Sequence, residues 1–263
     1  GLDHTTDGAR KILDLRDFSG EGAIALSPVA PQGDAVVIGG HRLAGYGRVA
    51  ALATGREVYG GMLLELPLGE APAADVNGNG TVGDSLPVVV VRATDGWVLF
   101  ADTDGDGSLT NERAVHDYLA AHETFGWSSG GHASPLTVAV NLADRAGGAP
   151  ALDLFFDTSG HGSHVSGIAA GHDMYGVAGF HGVAPGAQLL GCKIADDAQG
   201  GISATGSMVR ALDYAITFAE RRRIPLVVNM SFGVGNEVEG SARIDAVVDS
   251  ILALHPDVVF AVS

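Results

Sequence analysis

Two histidines set three residues apart carry the clearest chemical signal in the sequence. His161 and His164 lie in the segment 157–171, which reads DTSGHGSHVSGIAAG. The glycines on either side of His161 permit a tight entry into a helix, and the small residues that follow let this helix pack closely against its neighbours. A general base needs an imidazole that is held rigidly with one nitrogen facing the nucleophile. The segment is typical of a helix start that could hold such a histidine.

Two simpler interpretations of these histidines stay open on the residues alone. A histidine in a globular protein is most often an ordinary surface or core residue. A pair with this spacing on a helix can also ligate zinc, with His172 or His181 as a third ligand, although no pattern supports either of them. Zinc peptidase helices place a glutamate beside the first histidine, and Gly162 stands in that position here. Zinc is therefore the weaker hypothesis.

Two further segments follow the histidines in the order typical of one enzyme family. Residues 182–187 read GVAPGA and lead into an apolar run, and residues 227–233 read VVNMSFG. Together with 157–171 they resemble three motifs of the subtilisin-like serine peptidases, namely H-G-[ST]-H-V-[AS]-G, G-V-A-P-x-A and V-[IV]-N-x-S-[LF]-G. Three motifs in the family's order, at family-like spacing, argue against a chance match.

This resemblance implies a subtilisin-like three-layer α/β fold whose central parallel sheet is incomplete in this chain. It also implies a serine-type peptidase that hydrolyses peptide bonds through an acyl-enzyme, with His161 as the general base and His164 as the family's second, structural histidine. In such enzymes a peptide or protein substrate pairs with the cleft as an extended strand. Ser231, Phe232 and Gly233 are therefore expected to bind substrate, and no cofactor is required.

The nucleophilic serine and the aspartate of the implied catalytic triad are expected outside this chain. Residues 205–208 transpose the letters of the family's nucleophile motif and begin a helical pattern, while Ser263 resembles the last strand residue before the oxyanion turn. Asp102 ends an apolar run and precedes a threonine, but Asp104 replaces the glycine of the family's D-[ST]-G element. We expect a chain without these two residues to be inactive and poorly stable by itself.

The opening residues indicate a subgroup of the family. Residues 1–15 resemble the stretch that follows the triad aspartate in the tripeptidyl-peptidase II subgroup and its bacterial relatives, where T-T-D-G-x-x-K precedes a strand. Those relatives carry a long insertion between the aspartate and the histidine, and residues 95–109 resemble a stretch within it. We interpret 1–263 as part of one peptidase catalytic domain, with an insertion or subdomain over about 20–150 and a core over about 151–263. Internal cleavage and tripeptide removal both stay open as activities.

Hydrophobic spacing distinguishes the two parts of the chain. After about residue 150, apolar runs alternate with amphipathic patterns, which predicts a parallel sheet with helical crossovers. The expected strands are 188–194, 226–231 and 258–262, and the expected helices are 203–220 and a second that begins at an N-cap Ser241 and buries Leu254. Before residue 150, short runs broken by Gly, Pro, Asp and Asn predict antiparallel strands. These include 86–92, 97–101 and 136–142, with one helix over 111–122.

Two Asp-rich and Asn-rich loops in the insertion resemble calcium-binding loops. In the first, Asp102, Asp104 and Asp106 occupy positions 1, 3 and 5 of an EF-hand-like pattern, and Gly107 occupies position 6. Arg113 stands at position 12, where a bidentate glutamate is usual. The second loop, 75–82, is a less charged copy. A hairpin turn that needs no ion is the simpler interpretation of both loops, and calcium would be structural if present.

Composition argues against several other classes of protein. Asp and Glu number 31 against 15 Lys and Arg, so the net charge of −16 disfavours nucleic-acid binding. The dense basic run 221–223 lies where a helix should end, and the negative end of the helix dipole favours cations there. No apolar run approaches the roughly 20 residues of a membrane span. Cys192 is the single cysteine, and we interpret it as a small buried residue rather than a reactive thiol.

The rival function is a non-catalytic interaction domain, either a pseudoenzyme or a calcium-binding module, on the same scaffold. The first residues lack the basic-then-apolar pattern of a signal peptide. Secreted and cytoplasmic locations both stay open, and the sequence predicts no oligomeric state.

Overall fold

Short antiparallel strands form most of the first half of the chain in the computed structural model. The structure describes residues 1–65, 73–128, 135–146, 148–198, 201–203, 205–231 and 240–262. The strands up to residue 155 are β1 (Ile12–Asp17), β2 (Ala23–Ile24), β3 (Ser27–Pro28), β4 (Ala35–Ile38), β5 (His41–Ala44), β6 (Val58–Leu64), β7 (Ser85–Ala93), β8 (Gly96–Ala101), β9 (Val115–His116), β10 (Thr124–Trp127), β11 (Leu136–Ala143) and β12 (Ala151–Phe155). Two short helices, α1 (Tyr46–Leu52) and α2 (Tyr118–Ala121), lie among them.

These strands form a five-stranded sheet, β3-β6-β7-β8-β9, a four-stranded sheet, β10-β11-β12-β2, and the hairpin β4-β5. All the pairings within these two sheets and the hairpin are antiparallel, which confirms that prediction; β1 pairs elsewhere. Strand β7 shows why the sheet is stable, because its four successive valines are all buried. Val88 and Val90 contact one apolar cluster and Val89 and Val91 the other, since side chains alternate across a strand.

Parallel pairing characterises the second half of the chain. Its strands are β13 (Leu189–Lys193), β14 (Ala195–Asp196), β15 (Ile202–Ser203), β16 (Val227–Met230) and β17 (Val259–Val262). Strand β13 pairs in parallel with β1, and β16 with β17, as the alternating pattern predicted. Among the described residues, however, no ladder joins β13 to β16, so the parallel sheet consists of two separate pairs. Val227 is 67% exposed and Val259 56%, so the described residues leave part of the second pair uncovered.

Three helices accompany these strands: α3 (His161–Ala170), α4 (Thr205–Arg222) and α5 (Arg243–Leu254). Helix α4 buries Met208, Leu212 and Ile216 against α5, as its periodicity predicted. Two details predicted for α5 are wrong. Ala242 is the N-cap, and its amide donates to the Asp245 carboxylate. Leu254 is 76% exposed, because it is the last residue of the helix and lies beyond the face that packs on α4.

The helix predicted over 111–122 is also wrong, since only α2 forms there. Val115 pairs with Leu99 of β8 and is buried, so sheet pairing overrides the helical spacing. Asp117 starts α2 by accepting a hydrogen bond from the Leu119 amide, and His122 ends it in the left-handed region at φ 55°. Among all the described residues, no helix combines the length and the apolar character needed to cross a membrane.

Candidate active site

Helix α3 begins at His161, as the glycines around it predicted. Gly160 precedes the helix in the left-handed conformation at φ 71°, a conformation that glycine adopts without steric cost. The His164 amide donates to the Gly160 carbonyl at 2.9 Å and closes the first turn. His161 therefore occupies the first helical position, where the chain changes direction.

Asp157 fixes this helix start. One carboxylate oxygen accepts hydrogen bonds from the Gly160 amide at 2.8 Å and the Ser159 hydroxyl at 3.2 Å. The other accepts from the Ser163 amide at 2.8 Å and the Ser163 hydroxyl at 2.7 Å. Burial raises the pKa of Asp157, but these hydrogen bonds outweigh burial, and the net pKa lies below its usual value. A charged Asp157 thus satisfies amides that the helix itself leaves without partners.

The imidazoles of His161 and His164 are both exposed. Among the described residues, neither ring has a hydrogen bond or an ion pair. The backbone of His161 is held, because its amide donates to the Ser159 hydroxyl at 3.2 Å. The site thus combines a fixed main chain with a side chain free to engage a partner.

The GVAPGA turn closes the other end of α3. The amides of Val183 and Ala184 donate to the carbonyls of Ile168 and Ala169, at 2.9 and 2.8 Å. These carbonyls lie in the last turn of the helix, where intrahelical donors are lacking. The turn therefore anchors α3 from behind, at the end opposite His161.

Lys11, the lysine of the T-T-D-G-x-x-K stretch, has a role in this arrangement that the sequence did not predict. Its side chain is fully buried, and its ammonium group donates to the carbonyls of Pro185, at 2.5 Å, and Ala187, at 3.0 Å. Burial lowers the pKa of Lys11. The lysine ties the start of β1 to the turn behind α3, across a separation of more than 170 residues.

Lys193, at the end of β13, supports the segment that carries Asp157. Its ammonium group pairs with Glu21 at 2.9 Å and Asp197 at 3.1 Å, and donates to the Phe156 carbonyl at 3.1 Å. Burial lowers the pKa of Lys193, but the two carboxylates outweigh burial and raise it overall. Sequence reasoning missed this cluster as well, although a lysine at the end of a buried strand followed by two aspartates was a visible signal.

Ser231 directly follows β16, and the Asn229 side-chain amide donates to its hydroxyl at 3.0 Å. Strand β16 pairs with β17 along one edge. Phe232 and Gly233, the other two residues predicted to bind substrate, lie outside the described residues. The structure thus places the start of the predicted substrate-binding segment at the carboxyl end of a parallel strand, where sites in α/β folds commonly form.

An open cavity of about 510 Å³ lies beside Asp157 and Ser163. Asp75, Asn77 and Gly78 of the second Asp-rich loop line the same cavity. Residues 75–78, which lie in the predicted insertion, are therefore close to the histidine motif, and their position in the sequence did not predict this.

The structure does not support the zinc hypothesis in the form the sequence suggested. His172 and His181 stack with ring centroids 4.9 Å apart. Both lie beside Asp173, a residue that the zinc hypothesis did not include. Asp173 Oδ1 is 3.6 Å from His181 Nδ1, and its Oδ2 is 3.9 Å from His172 Nε2. Among the described residues, these three side chains form a possible ligand group that does not contain His161 or His164.

The alternative triad residues weighed within the chain occupy unsuitable places. Ser207 is 4% exposed and lies in the first turn of α4, so the segment 205–208 is a helix start, as interpreted. Asp102 follows β8 in the antiparallel five-stranded sheet, which contains neither β1 nor β13. Asp102, Asp104 and Asp106 instead lie together, with one carboxylate oxygen of each within 4.8 Å of the others.

Cys192 lies within β13, opposite Arg16 of β1. Burial raises the pKa of its thiol to about 12, so the thiol is protonated near neutral pH and weakly nucleophilic. This agrees with the interpretation of Cys192 as a packing residue.

Known proteins share both the motifs and the fold. Residues 150–263 match the model of the subtilase family, Peptidase_S8. Tripeptidyl-peptidase 2 of Drosophila melanogaster is 27% identical over 173 residues, which are 66% of this chain and 11% of the fly protein. The Arabidopsis thaliana protein of the same name is 40% identical over 82 residues, 31% of this chain and 6% of that protein. The Oryza sativa subsp. japonica protein is 30% identical over 158 residues, 57% of this chain and 11% of that protein.

A crystal structure of tripeptidyl peptidase 2 superposes on the whole of this chain with a TM-score of 0.73, at 19% sequence identity, and the chain covers 24% of it. This likeness confirms the subtilisin-like α/β fold. The chain spans 11% or less of the length of the curated relatives it matches. The family match over residues 150–263 and the shared fold agree with the three motifs, and they support a subtilisin-like peptidase.

Proposed function

We propose that this chain supplies the general base of a serine-type peptidase, with His161 in that role. The observation that carries the proposal is the contrast at the start of α3. Asp157 and Ser159 fix the main chain around His161, while the imidazole is exposed and unengaged among the described residues. The main chain of a general base must be held in place while its side-chain nitrogen stays free to take a proton from the nucleophile.

The chemistry follows from these positions. A serine hydroxyl would attack the scissile carbonyl, His161 would take its proton, and the same imidazolium would return the proton to the leaving amine. An aspartate would hold the imidazole in the correct tautomer. We propose that the serine and the aspartate come from parts of the protein outside these residues, since the chain corresponds to a small share of its relatives' length.

The substrate in this proposal is an extended peptide. Ser231 follows β16 with its backbone at the carboxyl end of the strand, where a peptide could pair by adding a strand. The relatives' name, tripeptidyl-peptidase 2, favours removal of tripeptides over internal cleavage. Mass analysis of the products from an N-terminally free and an N-terminally blocked peptide would distinguish these two activities, because only internal cleavage proceeds on the blocked peptide.

A fluorophosphonate probe tests the proposal on the protein in its full natural length. The probe should label a serine in the wild type, and labelling should disappear in His161→Ala. His41→Ala is the matched control, since His41 lies in the β4-β5 hairpin and contacts Ser85 there; this variant should label like the wild type. Full labelling of His161→Ala would contradict the role of His161. An unlabelled, folded wild type would instead favour the non-catalytic interaction domain.

A further inference from the structure

We propose that the loop after β8 is a calcium site, formed by the carboxylates of Asp102, Asp104 and Asp106. This loop, residues 102–109, is called the aspartate loop. One oxygen of each carboxylate lies within 4.8 Å of the others, and hard oxygen ligands of this kind are those that calcium prefers. The site lies in the insertion and is independent of the peptidase function proposed above.

An unsatisfied oxygen points to the missing ligand. Asp102 is 4% exposed, and its Oδ2 accepts a hydrogen bond from the Gly107 amide at 3.1 Å. Its Oδ1 is buried and has no hydrogen-bond partner among the described residues. Leaving a buried charged oxygen without a partner is costly, and nearly all such groups in native proteins are satisfied. A cation held between the three aspartates would satisfy it.

The charge of the loop points the same way. The three carboxylates lie close together, with one oxygen of each within 4.8 Å of the others. Within the described part of the chain, no Lys, Arg or His forms an ion pair with any of these three carboxylates. The Asn111 amide group donates to Asp104 at 3.0 Å and to Asp106 at 3.3 Å. Rotation of that amide by half a turn would present its oxygen to a cation in the same place.

The backbone has the shape that such a loop requires. Gly107, at position 6, adopts φ 73°, and its amide bonds the position-1 aspartate, so the chain turns sharply around the three carboxylates. Glu112 does not act like the glutamate ligand of an EF-hand loop, because its carboxylate is used in hydrogen bonds within the loop's flank. Both of its oxygens accept hydrogen bonds from Thr103 instead. With fewer charged ligands than a full EF-hand, we expect a dissociation constant on the order of 10⁻⁴ M, as in weak extracellular modules.

The second loop, 75–82, differs from the aspartate loop in its hydrogen bonds. Both oxygens of Asp75 accept backbone hydrogen bonds, from the amides of Asn79 and Gly80 at 2.9 and 2.7 Å. The side-chain amides of Asn77 and Asn79 donate to Asp84. Positions 3 and 5 of this loop are neutral side-chain amides, whereas the aspartate loop has carboxylates there. Amides donate to those carboxylates as well, but Asp102 Oδ1 stays without a partner among the described residues. The structure therefore favours one calcium site and not two.

Calcium would stabilise a junction between three elements. The aspartate loop exchanges backbone hydrogen bonds with Ala44 at the end of β5, through Gly107 and Leu109, each at 2.8 Å. The Ser128 amide, just after β10, donates to the Thr103 carbonyl at 2.9 Å. Cation binding would hold β5, β8 and β10 together, and by mass action would raise the stability of this region with calcium concentration.

Isothermal titration calorimetry with CaCl₂ on the chelator-treated protein of full natural length tests the site. We expect one calcium per chain at the aspartate loop, and at least tenfold weaker binding in Asp104→Asn and Asp106→Asn, which are exposed and unlikely to disturb folding. Asp75→Asn and Asp173→Asn are matched controls in the other two clusters and should bind like the wild type. Hydrogen exchange of residues 103–109 should slow with calcium in the wild type and in both controls, and should slow less in Asp104→Asn and Asp106→Asn at the same calcium concentration.

Two results would overturn the proposal. One is the absence of heat and of any exchange change up to about 5 mM calcium, which exceeds the weakest dissociation constants usual for such loops. The other is unchanged affinity in both Asp104→Asn and Asp106→Asn. A calcium signal lost only in Asp173→Asn would assign binding to the His172 and His181 cluster and would equally reject the aspartate loop. None of these readouts depends on peptidase activity.

Discussion

Replacing Asp157 by alanine should loosen the start of α3 without unfolding the protein. The carboxylate accepts hydrogen bonds from two backbone amides, those of Gly160 and Ser163, and from two hydroxyls. Loss of a side-chain cap costs about 1 kcal/mol, and loss of a negative charge near a helix N-terminus costs about 0.3–1 kcal/mol. The total is about 1–2 kcal/mol, which corresponds to a change of about 5- to 30-fold in a local opening equilibrium.

Hydrogen exchange measures this local effect better than global unfolding, because a large protein need not unfold in one step. We expect the amides of Ser163 and His164 to exchange about 5- to 30-fold faster in Asp157→Ala than in the wild type. Thr158→Ala is the matched control. Its hydroxyl is exposed and donates to Asp197 at 3.1 Å rather than to an amide of α3, so exchange in α3 should be unchanged.

The pH dependence of this difference has a definite sign. The pKa of Asp157 is lowered on folding, so its contribution to stability is complete above the unfolded pKa of about 3.9 and is lost as the pH falls through the lower folded pKa. The exchange ratio of variant to wild type should therefore begin to fall below about pH 4 and should approach one only below the lowered pKa of Asp157 in the folded protein. Equal exchange in Asp157→Ala and the wild type at neutral pH would refute the capping argument. If the proposed function holds, the displaced base should also reduce kcat by roughly 10- to 100-fold.

Two further predictions concern β13. Lys193→Met should lower the free energy of unfolding by about 3–5 kcal/mol, because it leaves the buried Glu21 carboxylate without its ion pair. Adding Glu21→Gln should recover part of the loss. A Lys193→Met variant as stable as the wild type in urea denaturation would contradict this. Cys192, whose thiol pKa is raised to about 12, should resist iodoacetamide at pH 8 in the folded protein and react once urea unfolds it. Rapid modification of the folded protein would instead show that the thiol is accessible and ionised.

The elements that the sequence predicted well are those set by local spacing. Helix α4 was readable because Met208, Leu212 and Ile216 recur on one face, and its apolar face is buried as expected. The start of α3 was readable because a glycine must adopt the left-handed conformation before His161. In both cases neighbouring residues along the chain determine the structure, so one sequence contains enough information.

Other features depend on residues far apart in the sequence. The helical spacing of Val115 and Tyr118 was overridden by pairing of Val115 with Leu99, which no local pattern shows. The structural role of Lys11 could not be predicted from the sequence, because its acceptors are carbonyls that lie more than 170 residues away. The grouping of Asp173 with two histidines likewise depends on a turn that brings residue 181 back beside residue 172.

The insertion and the parallel strands share buried polar contacts that make each depend on the other. Arg16 of β1 forms two hydrogen bonds of 2.9 Å with Asp117 at the start of α2, and it also pairs with the fully buried Asp14 carboxylate at 2.7 Å. Asn141 of β11 bonds the backbone of β1 on both sides, to the Leu15 carbonyl and from the Asp17 amide. Removing residues 20–150, the predicted insertion, would therefore leave Arg16 with Asp14 alone and would take the Asn141 partner from the Leu15 carbonyl and the Asp17 amide. Losing one partner of a buried ion pair or hydrogen bond is destabilising. Lys11 directly precedes β1, and its hydrogen bonds to the Pro185 and Ala187 carbonyls hold the turn behind α3. The long insertion is thus connected through β1 to the helix that presents His161, and a loop far from the histidine in sequence can influence how firmly that helix is held.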